Sequence, residues 1–352
     1  MTAPRQPIEV REFPRPDLPP GAVLLKTSLS EVCGTDVHLW HGRLSGVPYP
    51  IIPGHVSAGV VDAARGAVTG IDGSPIREGD RIVFFDVHRT CGRCRACTVH
   101  RTPTRCASRR VYGITDSADE GLFGGWAQAV YLEPGVALAR LPDAVSLDDY
   151  IGGGCGLLTA VHIAERAEIR LGDAVVVQGV GAVGLSAIAL ARIAGASMII
   201  AIGAPGDRLA LARDMGADLL LDLAATTNAE RQQAVFDATH GEGADVVIEA
   251  AGTDEAWQHA LGLVRPGGTV VYFGGREAGA ELRVDAYRLH YEELTLRGAF
   301  HHAPRHVRAA LAFLASGAVP WQRLITHRVR LEDVPALLAD PPLDYLKAAV
   351  VP

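Results

Sequence analysis

The chain has 352 residues, 48% hydrophobic and 21% charged, with a formal net charge of −7. That composition suits a packed protein and excludes a disordered one, and the acid excess argues against a nucleic-acid partner. No stretch approaches the roughly 20 uninterrupted apolar residues that span a bilayer, so no membrane partner is expected.

The proline- and charge-rich segment 4–20 lacks the apolar centre of an export signal, which makes the cytoplasm the expected location. At this length two domains are the natural expectation. The first half reads as β-rich: residues 8–13, 22–32, 57–64, 81–85 and 126–132 are short, apolar or β-branched, and divided by Gly and Pro. From about residue 171 the pattern alternates. Strands are expected at 174–178, 198–202, 219–222, 245–249, 269–273 and 294–300, with helices at 182–194 and 207–215 and between several of the later strands. This is the signature of a doubly wound parallel sheet, an α/β fold. A helix at 306–315 and a strand-like tail at 347–352 close the chain and are expected to rejoin the first domain. The expected division is 1–155 completed by 300–352, and 156–299.

Gly179-Val180-Gly181-Ala182-Val183-Gly184 follows an expected strand and opens an expected helix, the context in which G-x-G-x-x-G signals a dinucleotide. Gly179 permits the tight turn, Gly181 lets a pyrophosphate approach the backbone, and Gly184 packs helix on strand. The second strand normally ends in an acid for the adenosine ribose. Here that position is Gly203, with Asp207 and Arg208 just beyond, so both NAD and NADP stay open.

Cys91, Cys94, Cys97 and Cys106 crowd four thiols into one polar loop, a set that suits a structural Zn²⁺ or an iron–sulfur cluster. Arg93, Arg95 and Arg105 lie between them and are expected to offset thiolate charge. Cys33, His55 and Cys155 are dispersed. Two thiolates and an imidazole nonetheless form a catalytic zinc set with one place left for substrate.

C-G-T-D-x-H at 33–38, G-H at 54–55, the four-cysteine lobe, G-C-G-L-L-T at 154–159, the glycine motif, DVVIEAAG at 245–252 and RPGGTVV at 265–271 follow one another in a family's order. On these the chain resembles the zinc-containing medium-chain alcohol dehydrogenases over nearly its whole length. The resemblance implies a GroES-like β-rich catalytic domain and a Rossmann domain. It implies two zinc ions per chain, catalytic at Cys33, His55 and Cys155 and structural at the four-cysteine lobe, which together absorb all six cysteines. It also implies hydride transfer between NAD or NADP and a small alcohol or ketone, with a secondary, polyol or cyclic alcohol expected. Thr35 and His38 would relay the proton, Asp36 would accept from the second nitrogen of His55, Thr159 and Val183 would press on the nicotinamide, and Lys347 would pair with the pyrophosphate. Homodimers or homotetramers are implied too.

Three departures stand out. Val56 replaces the family's glutamate after Gly-His, so a carboxylate beside the zinc is expected to be missing. The Cys97–Cys106 spacing is one residue long, and the opening strand is absent, which should alter a sheet edge. Trp40, Val87, His88, Tyr112, Tyr287, His290, Tyr291, His301 and His302 are candidates for the substrate cleft. Two other readings compete: an NADPH-dependent carbonyl or enoyl reductase of the same fold, and a non-catalytic nucleotide-binding relative with structural zinc alone.

Overall fold

The structure, a computed structural model, describes all 352 residues, in two compact units: Met1–Gly154 with Ala303–Pro352, and Cys155–His302.

The first unit is built on the strand Val23–Val32, which alternates little because it is buried on both faces. One edge pairs antiparallel with Ser57–Ala64, which continues through Arg81–Phe84 to Leu138–Arg140. The other edge is shared. Its first half pairs with Ala129–Leu132, and its last residues pair with the tail strand Ala348–Val351, itself joined to His327–Arg330. Val23, Leu25, Ile82, Phe84, Leu132 and Leu138 fill one core, while Val32, Leu39, Ile51, Trp126 and Val350 fill a second. Residues 8–13 form no strand. Prolines at 4, 7, 14, 16, 19 and 20 remove the N–H donors a ladder needs and hold the segment extended. The first strand therefore starts only at Val23.

A two-stranded ribbon, Val87–Arg89 against Arg110–Val111, carries the four-cysteine lobe as an excursion between its strands.

The second unit holds six parallel strands in the order Leu219–Asp222, Met198–Gly203, Ala174–Gln178, Ala244–Glu249, Val264–Tyr272, Thr295–Gly298. Numbered within the unit this is 3-2-1-4-5-6, the doubly wound dinucleotide order, whose switch point lies beyond the first strand. Val176, Ile200, Val247, Leu263 and Val270 are wholly buried in its core. The helix Ala182–Ala194 is apolar nearly all round, which fits its burial, and ends at Gly195 with φ +98. Each strand and helix expected for this unit forms, within a few residues. The long helical stretch Leu147–Ala167 breaks at Gly154, with φ 48 and ψ −146.

Candidate metal centres and nucleotide site

The lobe brings its four sulfurs within 4.8 Å of one another. Cys94 and Cys97 Sγ lie 3.5 Å apart, and Cys91 and Cys97 Sγ 4.0 Å, with no disulfide. A tetrahedron with Zn–S near about 2.3 Å has S···S edges of about 3.8 Å, so the lobe fits one ion. A cluster with several irons would hold the sulfurs further apart. Backbone N–H groups of Arg93 and Cys94 hold the Cys91 thiol down to about 6, which favours the thiolate.

The second centre begins in the first unit. Cys33 is the N-cap of the short helix Gly34–Trp40; its Sγ accepts the Thr35 N–H at 3.2 Å, while Asp36 Oδ2 accepts the Cys33 N–H at 2.9 Å. His55 is buried, with Nε2 3.5 Å from Cys33 Sγ. Its Nδ1 faces Asp36 Oδ1 at 4.0 Å, beyond hydrogen-bond length, and neither atom has another hydrogen-bond partner. Asp36 is thus placed toward His55 as expected, with the contact open by about an ångström.

The carboxylate expected to be missing at Val56 is supplied from elsewhere. Glu31, wholly buried, presents an oxygen within 4.8 Å of the Cys33 and His55 ligand atoms. It stands two residues before Cys33, so strand alternation puts both on one face. Burial first, and the Cys33 charge with it, pushes the Glu31 and Asp36 carboxyls above their usual range, although Lys347 pulls Glu31 back. Cys33 Sγ, His55 and a Glu31 carboxylate oxygen bring sulfur, nitrogen and oxygen donors together. That donor set fits a divalent cation.

Lys347, for which the resemblance implies a pyrophosphate contact, has its ammonium among other acceptors. It is 1% exposed, and its Nζ donates to Glu31 Oε2 at 3.1 Å and to the carbonyls of Ile151, Gly152 and Gly153 at 3.1, 2.8 and 3.2 Å. An ammonium has three protons, so four acceptors at these distances leave none for a pyrophosphate. Gly154 follows the capped carbonyls, and a Cβ there would stand 1.6 Å from Glu31 Oε2. Cys155 is the next residue and opens the second unit.

Thr35 is half-buried and His38, one turn on, is exposed in the helix's last turn. Partial desolvation and the Arg43 charge lower the His38 pKa, so the ring is neutral at pH 7. Two of the cleft candidates belong to the core. The His88 imidazole lies between Glu133 (Nδ1, 2.5 Å) and Asp116 (Nε2, 3.0 Å), tilted against a fully buried Tyr112. It fastens the lobe-bearing ribbon instead of lining a pocket. Tyr287 and Tyr291 are exposed on one helix face, their rings tilted against each other with centroids 4.5 Å apart.

In the second unit, Gly179 has φ +102, and a Cβ would press on Ala250 and Ala251 at 2.9 Å; at Gly184 it would strike the Gly179 carbonyl at 1.8 Å. At Gly181 nothing lies within 4 Å, so the bare backbone there borders open space. Gly181 also N-caps the helix Ala182–Ala194 with no side-chain bond, leaving its first N–H groups for an anion. Val183 is half-exposed on that first turn, and Thr159 is buried with Oγ1 3.9 Å from Cys155 Sγ. Gly203 ends the second strand as expected, and a Cβ there would collide with Val180 Cγ2 at 2.4 Å. Arg208 lies in the first turn of the helix Gly206–Asp214. Glu249, absent from the expected site, accepts the N–H groups of Ala251 and Gly252 at 2.8 and 2.7 Å and shapes the loop against Gly179. An acid that follows the apolar run Val246–Ile248 at the strand's end is its signal.

Residues 19–143 match the alcohol dehydrogenase GroES-like domain, and residues 182–316 match the zinc-binding dehydrogenase domain. The chain is 32% identical over 349 residues to the 5-exo-hydroxycamphor dehydrogenase of Pseudomonas putida, covering 98% of this chain and 94% of that one. It is 30% identical to an alcohol dehydrogenase of Cupriavidus necator, with 98% and 96% covered. Among solved structures, an alcohol dehydrogenase of Thermotoga maritima superposes with a TM-score of 0.94 at 32% identity, covering 100% and 97%. A zinc-binding dehydrogenase of Sinorhizobium meliloti, solved with NADP bound, gives 0.88 at 29%, covering 99% and 97%. No helix is long and apolar enough to cross a membrane. With both domain models matched, relatives aligned nearly end to end, and a four-cysteine lobe that fits zinc, the chain belongs to the zinc-dependent medium-chain dehydrogenase/reductase family, as an NAD(P)-dependent alcohol dehydrogenase.

Proposed function

We propose that the enzyme interconverts a secondary, cyclic or polyol alcohol and its ketone, with Cys33, His55 and Cys155 holding the catalytic zinc and the four-cysteine lobe the structural one. The first unit is then the catalytic domain and the second the nucleotide domain. Of the named relatives, the hydroxycamphor dehydrogenase favours a cyclic secondary alcohol. The observation that carries the reading is the convergence of Cys33, His55 and Glu31, whose candidate ligand atoms lie within 4.8 Å of one another.

Bound there, zinc would supply Lewis acidity that brings an alcohol's pKa toward neutrality. The chain's own residues do the remainder. Thr35, two residues beyond Cys33, takes the hydroxyl proton and His38 carries it to solvent. The relay needs a neutral imidazole, and the lowered pKa of His38 provides one. The open backbone at Gly181 and the free N–H groups beyond it receive the pyrophosphate, while Val183 and Thr159 bear on the nicotinamide. Gly203 and Arg208 meet the adenosine ribose. Assembly as a homodimer or homotetramer and a cytoplasmic location accompany this reading; light scattering and cell fractionation check them.

The test is metal analysis joined to a panel of cyclic, linear secondary and polyol alcohols. About two zinc per chain with nicotinamide reduction on a cyclic or polyol substrate supports the proposal. One zinc per chain, or two with no turnover across the panel, sinks it in favour of a reductase or a non-catalytic relative.

A further inference from the structure

We propose that Lys347 is a positioning residue for the catalytic metal site, not a contact for the nucleotide. The inference rests on the function proposed above. Lys347 closes a cross-link among three pieces of chain far apart in sequence. Its backbone precedes the tail strand Ala348–Val351, where Ala348 registers with Val32, so it enters the site from the neighbouring strand, close to Cys33. Its ammonium then ties the Glu31 carboxylate to the carbonyl end of the helical turn at Ile151–Gly153. A cation at the end of a helical segment meets both the unpaired carbonyls and the negative end of the dipole.

Two consequences follow for the metal ligands. Glu31 lies two residues before Cys33 on the same strand face, so fixing its carboxylate fixes the strand end that delivers Cys33. The turn at 151–153 leads into Gly154, whose left-handed backbone packs directly on Glu31 Oε2 and leaves no room for a Cβ. Cys155 departs from that residue by a single peptide bond. One ammonium therefore sets the approach of Cys33 and the starting point of Cys155. A surface lysine waiting for a phosphate would be exposed with spare protons. This one is 1% exposed with none. Val56 belongs to the same arrangement: with an apolar residue after His55, Glu31 is the carboxylate that faces both the ligands and the ammonium.

The test uses the full chain as isolated with zinc. Lys347→Met leaves Glu31 buried and unpaired, which threatens folding, so Glu31→Gln/Lys347→Met, with no buried charge, is made beside it. Zinc release to a coloured chelator is followed in time, and NADH and NADPH dissociation constants are measured by fluorescence. In wild type two release phases are expected, one for each site. In both variants one phase should accelerate by about 10- to 100-fold, the usual effect of losing an outer partner of a metal ligand, while the other is unchanged. The dissociation constants should stay within about threefold, well under the tenfold that one lost charged contact represents. Weaker nucleotide binding with both release phases intact would overturn the proposal, and so would variants that match wild type in every measurement. A wild type that holds only one zinc would fail the proposed function itself, whatever the Lys347 variants do.

Discussion

The two metal sites solve one chemical problem in opposite ways. The lobe gathers four candidate ligands from residues 91–106, on a polar excursion from a short ribbon, and its own backbone N–H groups favour the Cys91 thiolate. The other site collects Cys33 and His55 from separate strands and turns of a buried β-framework, and surrounds them with Glu31, Asp36 and Lys347. A local site needs only its loop. A dispersed site needs the whole fold to bring its residues together, and a zinc held by three protein ligands keeps a fourth position for chemistry.

The sharpest way to break this comparison is to remove a ligand from each site. Cys33→Ser or His55→Ala should lower kcat/KM by about 10⁴-fold, roughly 5 kcal/mol of transition-state stabilisation, while thermal unfolding moves little and one zinc remains by metal analysis. Loss of both ions would show that the sites are not independent. Cys94→Ser should do the reverse. Unfolding in denaturant should lose about 3–5 kcal/mol, with kcat per folded molecule retained within about threefold. A collapse of turnover at full folding would make the lobe more than a staple.

Val56→Glu sharpens the buried side. Val56 is 3% exposed, and Glu31 already holds the available ammonium, so a second acid should cost about 2–4 kcal/mol of stability without restoring anything. Equal or faster turnover with unchanged stability would count against Glu31 as the substitute. The relay gives a smaller effect. His38→Gln should slow alcohol oxidation by about 10- to 100-fold at pH 7. The His38 pKa is shifted below its ordinary value, so wild-type oxidation should rise through a pH below about 6.5 and flatten above it. The variant should lack that rise and recover toward high pH, as a stopped-flow pH profile would report. Least of all, Gly181→Ala adds one methyl to an open stretch of backbone and should raise the nucleotide dissociation constant about fivefold, about 1 kcal/mol, by titration calorimetry.

The sequence made the local parts legible and hid the tertiary ones. Strands 57–64, 174–178 and 219–222 and helix 182–194 form with the expected bounds, because apolar runs between Gly and Pro encode them directly. The four-cysteine lobe could be read for the same reason. Residues 8–13 read as a strand by composition, but they lie between prolines at 7, 14 and 16 and join no ladder. Glu31 reads as one polar residue among several in its strand, although its position two before Cys33 marks its direction. For Lys347 the resemblance implies a pyrophosphate contact, and only the fold brings three carbonyls and a carboxylate onto its ammonium. His88 was misplaced likewise: an imidazole's role depends on what faces its two nitrogens, here a glutamate and an aspartate from elsewhere in the chain.

The packing of Val180 over Gly203 has a practical side for redesign. Swapping a cofactor's preference is commonly imagined as one exchange at the tip of the second strand, but the space a new side chain would enter there is already filled by a branched neighbour from the glycine turn. The two positions therefore behave as a single unit of variation. A library that randomises 203 alone samples mostly jammed backbones, whereas one that trims 180 in the same clones opens the choice.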